Sequence, residues 1–203
     1  MKNLSAACFF VFCFLCSMAQ KQQYKVAIVA FYNLENFYDT IDNPILNDDE
    51  FTPKGDKNYN SNIYLDKVKH LATVIAQLGA DVNPDGPALL GVAEIENDTV
   101  LNDLIADPLI KSRGYHYVHY DSRDLRGVDV GLLYNPKYFT VEDSKKLFVK
   151  LPPGSKTSFL TRDVLWVKGK FNGETVHVFV NHWPSRLGGE ERSAPARAAA
   201  AQV

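Results

Sequence analysis

The sequence predicts a mixed α/β or α+β sandwich, with strands stacked in the middle and helices outside. Three observations carry this expectation. Tyr24 to Phe31 is apolar at nearly every position, which reads as a strand buried on both faces. Asn62 to Leu78 repeats apolar residues at helical spacing: Ile63, Leu65, Val68, Leu71, Val74, Ile75 and Leu78. Asp163 to Phe171 and Thr175 to Asn181 are strand-like runs joined across Asn172-Gly173, the strongest hairpin signal in the chain. Helical patterns fall early and hairpin strands late, so strands and helices fill separate layers.

The elements follow in order. Lys2 and the apolar run from Ala6 to Cys16 read as the start and core of a secretory signal, too short for a membrane span. Ser17-Met18-Ala19 places small residues where a signal peptidase reads, so cleavage is expected after Ala19. Residues 1–19 are then the signal peptide and residues 20–203 the exported part. Lipid anchoring at Cys16 is the lesser alternative, because Leu15 fits poorly before it, and an uncleaved anchor is the third. Cys8, Cys13 and Cys16 all lie in this segment, so the mature chain would have no disulfide framework, thiolate metal site or cysteine nucleophile.

After the first strand, Thr40 to Asn60 is polar, contains Pro44, Pro53 and Gly55, and reads as a long loop. Gly79 fits a cap on the helix that follows. Pro87 to Glu96 is a strand, and Asn97-Asp98-Thr99 caps a short helix through Ala106. Tyr115 to Tyr120 and Val128 to Tyr134 read as strands around a polar connection, Asp121 to Gly127. Asn135-Pro136 is a turn. A strand near Lys146 to Val149 precedes the Pro152-Pro153-Gly154 loop. Gly188 to Val203 starts polar, becomes alanine-rich, and opens a helix.

At 203 residues the chain suits one domain. Its 46% hydrophobic and 23% charged residues are an ordinary globular balance. A net charge of -2 excludes a global basic footprint but not a local cationic site. There is no G-x-S-x-G, H-E-x-x-H, Walker or G-x-G-x-x-G pattern. The acidic run Asp48-Asp49-Glu50 lacks calcium-loop spacing and reads as solvated.

Four strand-end positions could carry chemistry. Glu94 ends a buried strand, where a carboxylate needs a partner, and a hard cation such as Mg²⁺ is a natural one. A surface glutamate, or an acid near the next helix start, is the plainer alternative. Glu96 is the rival, on the same side by strand alternation but nearer solvent. Asn33 follows the first strand and can bond a metal-ligating carboxylate or a phosphate, or simply form a turn. His182 ends the last strand, in Val180-Asn181-His182-Trp183-Pro184-Ser185-Arg186, where Pro184 restricts the loop. Its imidazole can move a proton near neutral pH or serve structure alone. Arg162 and Arg186 can fork onto phosphate or pair with neighbouring acids such as Asp163 or Asp124.

Set in order, Phe31-Tyr32-Asn33-Leu34-Glu35-Asn36, Gly91-Val92-Ala93-Glu94-Ile95, Gly127-Val128-Asp129-Val130-Gly131-Leu132-Leu133-Tyr134, Thr161-Arg162-Asp163 and Val180-Asn181-His182-Trp183-Pro184 resemble the endonuclease/exonuclease/phosphatase superfamily. The resemblance implies a four-layer α/β/β/α sandwich of the deoxyribonuclease I-like type, classed as α+β. Together with the signal segment it implies an exported phosphoesterase, foremost an endonuclease or phosphodiesterase hydrolysing phosphodiester bonds, that uses Mg²⁺ or another divalent cation such as Mn²⁺ or Ca²⁺, with nucleic acid the favoured substrate. It places Glu94 and Asn33 on the metal, makes His182, Glu94 and Asn33 the catalytic set, and puts Arg162, Asn181 and Arg186 on phosphate. The mature chain is expected to be a monomer without a transmembrane segment. The superfamily's later Asp-x-Asn and Asp-His pairs are missing up to residue 203, which predicts a C-terminally truncated domain with impaired activity. Phosphatase or lipid-directed phosphodiesterase activity, or a non-catalytic secreted module, are the alternatives.

Overall fold

The computed structural model describes residues 26–151, 161–186 and 189–203. The expected signal peptide, its cleavage site, the three cysteines and the Pro152-Pro153-Gly154 loop lie outside the described residues.

Strand β1 runs Ile28–Phe37, helix α1 Ser61–Gln77, β2 Pro87–Ile95 and α2 Asp98–Ala106. Then come β3 His116–His119, β4 Asp129–Tyr134, β5 Phe139–Leu147, β6 Val164–Phe171, β7 Glu174–Val180 and α3 Glu190–Ala200. They form a four-stranded sheet in the order β1-β2-β4-β3 and a three-stranded sheet in the order β5-β6-β7. Among the described residues only β1 and β2 pair in parallel, joined by the crossover through α1, while β2–β4, β3–β4, β5–β6 and β6–β7 are antiparallel.

Strand alternation divides the interior into two cores. Leu90, Val92 and Leu133 of the first sheet meet Val68, Leu71 and Ile75 of α1 and Val100, Leu101 and Leu104 of α2. Leu89, Ala93, Val130 and Leu132 face Phe139, Leu165, Val167 and Val180 of the second sheet. Ala200 of α3 packs with Val149 and Val164. Val164 has the opposite parity to Leu165 and Val167, so α3 lies on the outer side of the second sheet. Helices therefore sit outside two facing sheets, the α+β sandwich expected from the sequence. No helix among the described residues is long and apolar enough to cross a membrane.

Several local expectations are corrected. β1 is not buried on both faces: it edges its sheet, and Val29 and Phe31, on the face that looks toward the second sheet, stay exposed because β5–β7 do not reach over them. It also runs on to Phe37. The buried face of α1 is Tyr64, Val68, Leu71, Ala72 and Ile75, while Ile63, Leu65 and Val74 are exposed. β5 begins at Phe139, seven residues before the expected strand, because its Glu142, Asp143, Lys145 and Lys146 line an exposed edge and mask the period. Asp48 is buried rather than solvated, and accepts from Asn43 N at 3.1 Å.

Other local signals match. Asn97 caps α2 as expected, and Asn60, not singled out in the sequence, caps α1, each accepting two backbone N–H groups. Asn172 and Gly173 both have positive φ, the pair of angles a two-residue hairpin turn requires. The polar segment 40–60 is held by Phe51, which stacks on Tyr38 at 4.1 Å and meets Tyr59 edge-on at 5.7 Å.

Candidate functional site

The site starts from an irregularity in the sheet. Ala93 pairs with Asn33 and Ile95 with Phe37, so Glu94 is an extra residue on β2 and residues 34–36 are extra on β1. On the other side, Ala93 pairs with Val130 and Ile95 with Asp129, again skipping Glu94. Glu94 takes φ +61°, and Glu35 and Asn36 take +56° and +57°. Such a bulge re-aims a side chain. It also shifts parity, so Ile95 falls into the helix-side core, where Glu94 would otherwise point.

Released from that core, the Glu94 carboxylate is held at the sheet end. Oε1 accepts from Asn33 Nδ2 at 3.1 Å, and Oε2 from the Asn36 N–H at 2.9 Å. Asn33 Oδ1 in turn accepts the Glu35 N–H at 3.0 Å. From α1, the Lys67 amine donates to the carbonyls of Glu35 and Asn36 and fixes their turn. Burial pulls the Lys67 amine below its usual range, against the pull of Glu35 and Glu94.

His182 completes the group from the end of β7, with Nε2 3.4 Å from Glu94 Oε1. Burial, reinforced by the charge of Arg162, lowers its pKa to about 4 although Glu94 pulls the other way. The imidazole is therefore neutral at pH 7, and its buried Nδ1 has no hydrogen-bond partner among the described residues. Glu94, Asn33 and His182, expected from sequence as one set, are thus in contact.

Arg162 is placed differently. It is 8% exposed and grips protein oxygens: Nε donates to the His182 carbonyl at 3.1 Å, Nη2 to the Trp183 carbonyl at 3.1 Å, and Nη1 to Asp124 Oδ2 at 2.8 Å. This geometry is a clamp on the His182 loop rather than a fork offered to phosphate. Asn181 likewise serves the loop, donating to the Phe179 carbonyl at 3.4 Å and accepting from Trp183 Nε1 at 3.3 Å. Arg186 is exposed and, among the described residues, makes no bond to the Glu94 group. Arg197 of α3 donates to the Pro184 carbonyl at 2.7 Å and lies 5.5 Å over the Trp183 ring.

Asp124 ties these parts together. It also accepts from the Arg126 N–H at 3.0 Å and Nε at 3.2 Å. Burial would raise its pKa, but the hydrogen bonds from Arg126 and Arg162 outweigh that and lower it. Glu96 is not a second copy of Glu94, because the bulge breaks the alternation that would align them. It is buried, accepts the Asp39 N–H at 2.7 Å, and sits beside Asp39 and Asp48. Burial and those two neighbours lift its pKa to about 7 despite the Asp39 hydrogen bond.

A family model described as Endonuclease/Exonuclease/phosphatase family matches residues 28–203. The chain belongs to this family. Among solved structures, it is similar to D. rerio TDP2 humanized by 14 mutations, with 12% identity and TM-score 0.48 over 80% of this chain and 49% of that one. It is also similar to the endonuclease/exonuclease/phosphatase from Bacteroides vulgatus, with 17% identity and TM-score 0.46 over 80% and 53%. A third is the human Nocturnin catalytic domain with bound sulfate anion, with 15% identity and TM-score 0.43 over 64% and 47%. The chain spans about half the length of these structures. A search of curated proteins gave no match.

The group around Glu94 contains parts that the sequence did not single out. Lys67 was one apolar helix's polar residue, and Asn36 acts through its backbone. Asp124 was visible only as a possible partner for an arginine. The pairing of Arg162 with Asp124 spans 38 residues, which no local pattern encodes.

Proposed function

We propose that this chain is an exported, divalent-metal-dependent phosphoesterase that cleaves phosphodiester bonds, with nucleic acid as the favoured substrate. One observation carries the reading: a bulge turns Glu94 out of the core and holds its carboxylate between Asn33 and the Asn36 N–H, against a neutral His182. The Glu94 carboxylate supplies the oxygen donors a hard cation takes, with the Asn33 amide nitrogen bonded to one of them. A divalent ion such as Mg²⁺ bound there would offset charge growing on phosphoryl oxygens.

The chain's own residues do the rest. Glu94 keeps its place because both carboxylate oxygens are fixed before a substrate arrives. His182, neutral at pH 7, presents a nitrogen that can donate to a phosphoryl oxygen or take a proton. Arg162 and Asp124 are positioning residues that hold the His182 carbonyl. Half-exposed Arg126 and exposed Arg186 are the side chains suited to phosphates flanking the scissile bond.

The test uses purified chain, supercoiled plasmid and Mg²⁺, with and without chelator. Metal-dependent nicking lost in Glu94→Gln supports the reading. Nicking that survives Glu94→Gln overturns the site. Turnover of a phosphomonoester without nicking favours a phosphatase, and turnover of neither favours a non-catalytic module. Export is tested by the N-terminal residue of protein collected outside the cytoplasm, which should be Gln20.

A further inference from the structure

We propose that His119, Asp129 and Asp121 form a second cation site, separate from the Glu94 group, that takes a divalent transition-metal ion with Asp98 orienting the imidazole. One donor atom from each of the three residues lies within 4.8 Å of the others. The His119 side chain is 3% exposed and that of Asp129 5% exposed. His119 Nε2 is buried and without a hydrogen-bond partner, although it faces the Asp129 carboxylate. A buried nitrogen held beyond hydrogen-bond distance of a buried carboxylate is balanced either by a proton, as a long ion pair, or by a cation lying between the two.

The spacing fits an ion. Nε2 and Asp129 Oδ2 are 3.6 Å apart, too far for a hydrogen bond. Two ligand atoms about 2.1 Å from one metal, and about 110–120° apart around it, lie roughly 3.4–3.6 Å from each other. The outer contacts are also those of a ligand set. His119 Nδ1 lies 2.9 Å from Asp98 Oδ1, leaving Nε2 to face inward. A carboxylate behind a histidine fixes the ring and makes it a better ligand. Asp129 Oδ1 is anchored by the Ser122 N–H at 2.8 Å. Asp121, exposed on the loop, is the donor able to swing inward, and Lys146 engages its carbonyl rather than its carboxylate.

The donor chemistry selects the ion. One imidazole nitrogen with two carboxylates suits Zn²⁺, Mn²⁺ or Co²⁺, whereas Mg²⁺ and Ca²⁺ favour oxygen alone. The position gives it a use. An ion there would staple the start of the 121–127 loop to edge strand β3 and to β4. The same loop carries Asp124, which holds Arg162 and, through it, His182.

The experiment is a Co²⁺ titration of chelator-treated protein in excess Mg²⁺, followed by visible absorption and binding stoichiometry. One equivalent of Co²⁺ with a ligand-field band is expected. His119→Gln should abolish the band, and Asp98→Asn should weaken binding about 10- to 100-fold. Asp121→Ala, at an exposed position that keeps the fold, should weaken it at least tenfold. Glu94→Gln should leave the band unchanged, which separates this site from the proposed catalytic one. Absence of a band, undiminished Co²⁺ affinity in folded Asp121→Ala, or loss of the band in Glu94→Gln would each overturn the proposal.

Discussion

Arg162 shows how a residue can be visible in sequence while its task is not. The motif Thr161-Arg162-Asp163 marks an arginine before a strand, and phosphate is the obvious ligand for it. The structure spends its guanidinium on Asp124 and on two carbonyls of the His182 loop. Removing it would leave Asp124 buried with Arg126 alone and free the loop. Arg162→Ala is expected to lower unfolding free energy by about 2–4 kcal/mol in a urea titration. A phosphate ligand without a clamping role would leave stability unchanged. Glu96 gives the pH prediction. Folded Glu96 keeps its proton up to about 7, against an ordinary value of 4.5. The folded state then binds more protons than the unfolded chain between those values, so this group's contribution falls as pH rises through 7. Glu96→Gln removes that fall. With chelator present, its stability relative to the parent should rise by on the order of 1–3 kcal/mol between pH 4.5 and pH 8. An equal difference at both pH values would sink the assignment.

Elements were legible where local chemistry decides them. Asn97 and the Asn172-Gly173 turn act within a few residues, so their patterns marked the helix start and the hairpin turn correctly. The buried face of α1 was harder, because Ile63, Leu65 and Val74 add apolar residues that the fold leaves in water. Leu71→Ala should cost about 2–5 kcal/mol, since it opens a cavity in the helix-side core. Leu65→Ala should stay within about 0.5 kcal/mol. Comparable costs at both positions, measured by denaturant unfolding, would mean that the face is misplaced. The bulge at Glu94 was not legible at all: Leu89 to Ile95 reads as an unbroken strand, and nothing local signals that one residue stands outside the ladder. Strand alternation then wrongly aligns Glu96 with it.

Over the whole molecule, two cores share the first sheet, and the sandwich class followed from pattern because each face is apolar. What pattern could not reveal is how far one sheet overlaps the other. β1 carries the same kind of residues as β2, yet Val29 is 68% exposed and Phe31 56%. Phe31→Thr should therefore change stability by less than about 1 kcal/mol, while Phe139→Ala, in the core between the sheets, should cost about 3–5 kcal/mol. Thermal or urea unfolding of the two variants decides this. A large loss at Phe31 would show that the face is covered in solution.

The extra residue in β2 also sets how this chain tolerates change. Left-handed backbone at a glutamate costs about 1 kcal/mol, and glycine there would relieve it while removing the carboxylate. Deleting Glu94 outright would let Ala93 and Ile95 pair in regular succession with β4. Drift toward greater stability at this point therefore runs toward a smoother, inert sheet. The carboxylate persists only where selection acts on what the site does, and a stability screen blind to activity would discard it.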